Sequence, residues 1–173
     1  MKLILFVLLF LNISISANAS ELMEAKSIKN FNEADSQVGK YPTNDGPFLK
    51  SPCLVKEFKR ILKDDYDDFF NRFIGSCATY QIEKKGNTVC IEKGEAHVGL
   101  GWRSFILLDL KTNRMQLLWL RSSWQEGDIN TYGDMPLTDE AKALILELLK
   151  GMWGFSVNSS FENNQLILKQ NTQ

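Results

Sequence analysis

Apolar positions along this 173-residue chain switch between two rhythms, and each switch predicts a change of element. Leu54, Phe58, Ile61 and Leu62 recur at the three- and four-residue spacing of one helix face, followed by Phe69, Phe70 and Phe73. Ser51 suits an N-cap, and Pro52 suits the first helical position, where a missing N–H leaves no bond unmade. Lys63-Asp64-Asp65 between the two apolar sets predicts a break, hence two short helices. The aromatic stripe reads as core packing rather than as a ligand groove.

From Ala78 the period drops to two. Tyr80, Ile82 and Lys84 alternate with Gln81 and Glu83, Lys85-Gly86-Asn87 turns the chain, and Thr88–Glu92 returns as the second arm of a hairpin. Arg103–Leu110 is a mostly apolar strand, Lys111-Thr112-Asn113 a turn, and Arg114–Arg121 the return. Asp128–Tyr132 follows a polar turn that ends in Gly127. Short strands in sequence with tight turns predict an antiparallel meander. Helical spacing resumes after Thr138, a good cap, with Asp139 and Glu140 at the positive end. Leu144, Ile145, Leu148 and Leu149 form one face and Gly151 is a natural stop. The expected fold class is α+β: an antiparallel sheet of about five strands, with an N-terminal helical region and a C-terminal helix packed on it.

The flanks carry neither rhythm. Residues 1–19 read as a secretory signal peptide, with Lys2 as the positive region, Leu3–Leu11 as the apolar core and Ala17-Asn18-Ala19 as the cleavage site. The apolar run falls far short of the roughly 20 residues that span a bilayer, so no membrane span is expected after cleavage. The expected location is periplasmic or secreted. Residues 20–47 are polar and end in a Pro/Gly-rich cluster, which predicts a mobile lead-in. The ordered domain is expected over 48–154. Residues 155–173 read as a polar tail in which Leu166-Ile167-Leu168 is either an added edge strand or not ordered.

Charge and composition remove several functions. Twenty basic residues against 21 acidic ones give a net charge of −1, and no basic cluster supports a nucleic-acid partner. Cys53, Cys77 and Cys90 would enter an oxidising compartment, where three cysteines allow one internal bridge. Cys53 with Cys77, both near element ends, is the first pairing to expect. Hydrolysis would need a nucleophile, a base and an oxyanion site, and His97 is the only histidine. No G-x-S-x-G elbow occurs, and Cys90 falls within a strand, where a thiol is usually inert. The aspartates at 64, 65, 67 and 68 lack the alternating ligands of a calcium loop and suit a solvated helix junction. We therefore assign no catalytic residue, metal or cofactor, a hydrolase built on Cys90 and His97 being the weakest reading.

His97 stands in "GEAHVGLGW", between the returning arm of the hairpin and the strand opened by Arg103. Upstream lies the helical "FLKSPCLVKEFKRILKDDYDDFFNRF"; downstream come "RSFILLDLKTNRMQLLWL" and "GDINTYGDMPLTDEAKALILELLKGMW". This order of elements around a histidine loop resembles the inhibitor-of-vertebrate-lysozyme (Ivy) family and its single-domain bacterial relatives, from Phe48 to Trp153. The resemblance implies a periplasmic α+β domain whose exposed C-x-x-H-x-C loop enters the lysozyme cleft, its histidine meeting the two catalytic carboxylates and a disulfide stapling the loop. On that pattern His97 matches the histidine, Gly94 and Gly99 stand where the cysteines would be, and Glu95, Ala96 and Val98 fill the positions between. Trp102 and Arg103 beside the loop read as an anchor pair at an interface or as a core aromatic with a solvated charge, the second being favoured. Trp124 in the polar turn "SSWQEG" is a further exposure candidate. The expected partner is a lysozyme or other peptidoglycan hydrolase; the alternative is an immunity or protein-binding module with an unrelated toxin or envelope partner.

Overall fold

The computed structural model describes residues 23–44, 46–71, 78–94, 103–122, 127–133, 136–150, 158–162 and 165–169. Its centre is an antiparallel sheet of β1 (Ala78–Thr79), β2 (Glu83–Lys85), β3 (Thr88–Gly94), β4 (Arg103–Asp109), β5 (Arg114–Ser122) and β6 (Gly127–Tyr132). The order is β1-β3-β4-β5-β6, with β2 also paired to β3. Both β1 and β2 lie on the edge of β3 that faces away from β4, so six strands occupy five lanes. The α+β meander expected from the period-two segments is thus present.

Both faces of this sheet are covered. Val89 and Ile91 of β3, Ile106 and Leu108 of β4, and Met115, Leu117 and Trp119 of β5 join one core. Leu54, Phe58, Ile61 and Leu62 of α1 (Pro52–Leu62) and Phe69 of α2 (Tyr66–Phe69) complete it. The alternate residues Cys90, Phe105, Leu107 and Leu118 face a second core with Ala141, Leu144, Ile145 and Leu149 of α3 (Asp139–Lys150). Burial on two sides explains why "FILL" at 105–108 in β4 is a continuous apolar run rather than an alternating one.

Local chemistry fixes the joints. A 3₁₀ turn at Lys63–Asp65 separates α1 from α2, at the expected break. Asn113 takes a positive φ of 54° in the β4–β5 turn, and Asp109 Oδ1 accepts the amides of Lys111 and Thr112 at 2.8 and 3.1 Å. Thr138 Oγ1 accepts the Ala141 amide at 3.1 Å, the cap expected for α3. Ser51 departs from its expected role: its hydroxyl makes no cap bond to α1. Instead Ser51 Oγ accepts the Ile28 amide at 2.9 Å and donates to the Phe48 carbonyl, tying the N-terminal segment to the start of the helix.

That segment is the main correction to the sequence reading. The expected mobile lead-in is packed: Ala25, Ile28, Phe31 and Ala34 are each at most 5 % exposed and belong to the first core. A 3₁₀ helix covers Phe31–Gln37, with Asn30 accepting the Glu33 amide at its start. Phe31, Ala34 and Gln37 are buried at the three-residue spacing of a 3₁₀ turn, and Ala25 and Ile28 are buried in a stretch with no regular element, so a search at periods of 3.6 or 2 passes over both. The C-terminal segment also carries more order than an isolated edge strand. β7 (Asn158–Glu162) and β8 (Gln165–Lys169) pair with each other as a separate hairpin, and Leu166 enters the second core.

Candidate functional site

Of the expected binding residues, Gly94 is described as the last residue of β3, whereas Glu95, Ala96, His97, Val98, Gly99 and Trp102 lie outside the described residues. So do Trp124 and Cys77, and with Cys77 the expected bridge to Cys53. Cys53 carries a free thiol that donates to the Ile28 carbonyl at 3.4 Å. What the structure does define is the stem from which residues 95–102 depart.

The stem is in unbroken register. Pairing runs from Thr88↔Asp109 to Gly94↔Arg103 with no bulge. At its outer end the two faces of β3 carry opposite charges, both buried: Glu92 is 4 % exposed and Lys93 0 %. Lys93 Nζ donates to Asn44 Oδ1, which holds the N-terminal segment against the first face, and lies 3.5 Å from Thr79 Oγ1. On the second face Arg103 Nη1 meets Glu92 Oε1, while Nη2 donates to the Tyr80 hydroxyl at 3.2 Å. The guanidinium carbon lies over the Tyr80 ring, 5.1 Å from its centroid, in cation–π geometry. Arg103 was expected to be a solvated charge; its side chain is only 13 % exposed and fully engaged.

Burial raises the Glu92 carboxyl above its ordinary value of 4.5; Arg103 opposes that rise and the nearby Glu83 adds to it. The two-residue alternation of a strand could have revealed Glu92, because it shares the face of Cys90 in "TVCIE" and a carboxylate there needs a partner. Nothing local marked Tyr80 as that partner's neighbour.

Other chemistry is sparse among the described residues. Cys90 is 1 % exposed, and burial pushes its thiol well above 9.0, so it is a poor nucleophile where it stands. Asp65 accepts a hydrogen bond from the Tyr132 hydroxyl at 2.8 Å at the helix junction, and no described group of three or more His, Cys, Asp and Glu is arranged to hold a metal. A shallow groove, partly open to solvent and enclosing little space, lies at the opposite end of β3, between Thr88, Asp109, Arg114, Gln116 and Thr138. No helix among the described residues is long and apolar enough to cross a membrane. No protein-family model, curated protein or solved structure matches this chain.

Proposed function

We propose that this is a secreted or periplasmic protein that binds a lysozyme or another peptidoglycan hydrolase without covalent chemistry, through residues 94–102, with His97 as the inserting side chain. The observation that supports this reading most is the continuous β3–β4 register, which gives the histidine segment two rigid, adjacent ends in the middle of a sheet covered on both faces. Binding groups held on a rigid scaffold lose less freedom on association. An imidazole entering a cleft between two carboxylates gains charge-assisted hydrogen bonds where water is excluded.

Gly94 and Gly99 at the positions of the resembled loop's cysteines make ordering more demanding. Each fixed backbone costs about 1–2 kcal/mol, and glycine has the most freedom to lose. Inhibition is therefore expected to be weaker than with a stapled loop. The test adds residues 20–173 to a panel of lysozymes and peptidoglycan hydrolases, with lysis of cell-wall substrate followed by turbidity. Inhibition by the wild type and its loss in His97→Ala is the expected result. Absence of inhibition at micromolar protein, or an undiminished His97→Ala variant, overturns the reading.

A further inference from the structure

Arg103 is the first residue of β4, and its partner across the ladder is Gly94, the last residue of β3. A Cβ placed on Gly94 would stand 3.3 Å from Arg103 Cγ and 3.6 Å from its Cζ and Nε. The arginine therefore lies across a position with no side chain, and from there its guanidinium reaches back to Glu92 on β3 and out to Tyr80 beside the edge lane. One side chain bridges three successive parts of the sheet at the point where residues 95–102 leave it.

We propose that Glu92, Arg103 and Tyr80 form a noncovalent clamp that sets the geometry at which this connection departs, Gly94 being bare so that Arg103 can close it. The functional part of this assignment rests on the lysozyme-binding reading; the clamp itself does not.

Three features support a positioning role. Apolar residues of similar volume commonly stabilise a buried site as well as an ion pair does, so the charges contribute mainly direction. Arginine can serve the carboxylate and the phenol together because its fork is planar and its donors are fixed in angle, which a lysine ammonium cannot match. Lys93, buried on the opposite face and donating to Asn44, restrains rolling of the same strand about its axis. Together they hold both ends of the connection in one arrangement before any partner arrives, which lowers the ordering still required on binding.

The experiment compares the wild type with Glu92→Gln, Arg103→Lys and Val89→Ala, the last a fully buried position toward the other end of β3. Amide hydrogen exchange is read at Gly94 and Arg103 against Ile106 and Leu107. Affinity is measured for whichever lysozyme the wild type inhibits. The clamp predicts exchange at Gly94 and Arg103 about tenfold faster or more in both clamp variants, with affinity about tenfold weaker or more, while Val89→Ala lowers overall stability and changes neither. Should Glu92→Gln not fold, Gly94→Ala keeps every charge yet crowds Arg103 and is expected to give the same pattern. Unchanged exchange at the stem removes the clamp. A frayed stem with undiminished affinity, or equal weakening by Val89→Ala, removes the positioning role. If the wild type binds nothing in the panel, the lysozyme reading fails on its own and the exchange data still decide the clamp.

Discussion

Replacing Ile28 by alanine asks whether the N-terminal segment belongs to the folded unit. The side chain is 1 % exposed, its amide is held by Ser51 and its carbonyl accepts the Cys53 thiol. Truncation removes three carbons, worth roughly 2.4 kcal/mol at about 0.8 kcal/mol per methylene. The cavity left against the first core raises the loss to about 3 kcal/mol, within a range of about 2–5. For a chain of this size that corresponds to a fall in Tm of about 6–12 °C. Urea unfolding, followed by the fluorescence of the chain's four tryptophans, the buried Trp119 among them, should show a lower midpoint at an unchanged slope. Met23→Ala, at a side chain 66 % exposed, is the control and should stay within about 0.5 kcal/mol of the wild type. An Ile28→Ala variant equally close to wild type would refute the packed arrangement and return the segment to a loose lead.

Glu92 gives a pH signature. A carboxyl raised on folding adds stability that is fully present below its ordinary value of 4.5 and lost as pH climbs through the raised one. The stability of wild type minus that of Glu92→Gln should therefore decline upward from about pH 4.5, measured by Tm from pH 4 to 7; a flat or rising difference contradicts the buried placement. Cys90 should resist a thiol reagent in the native protein and react only on unfolding, with Cys53 labelling first; native labelling of Cys90 at neutral pH would reopen thiol catalysis. Ser104 Oγ is buried with no hydrogen-bond partner among the described residues, so Ser104→Ala should be neutral or stabilising by about 1 kcal/mol in chemical denaturation. A loss beyond that would mean the hydroxyl has a partner.

The parts of the fold legible in the sequence are those in which one local period governs burial. The faces of α1 and α3, the Lys63–Asp65 break and the turns at Gly86-Asn87 and Lys111–Asn113 follow from spacing and turn chemistry alone. The outgoing hairpin arm shows where this stops. Tyr80 to Lys84 alternates as a strand should, yet the ladder is interrupted at 80–82. There the Ile82 amide donates to the Lys40 carbonyl and its own carbonyl accepts the Gly39 amide, both at under 3 Å. A partner more than forty residues away leaves no trace in local alternation. The stem shows the same limit: a buried charge at Glu92 is readable, but the arginine that meets it and the tyrosine that the arginine meets in turn come from two other segments.

The interruption at Ile82 has a consequence for self-association. An edge strand offers free amides and carbonyls to any other chain, and folds blunt it with short strands or a covering segment. Here β1 and β2 have two and three residues, and residues 39–40 take up the backbone groups of Ile82 between them. The N-terminal segment thus acts as a plug on the outermost lane. A protease that cut between Met23 and Tyr41 would strip Ile28 and Phe31 from the first core and uncover this margin at once, so the weakened fold and an edge able to recruit a strand from a second copy would arise together.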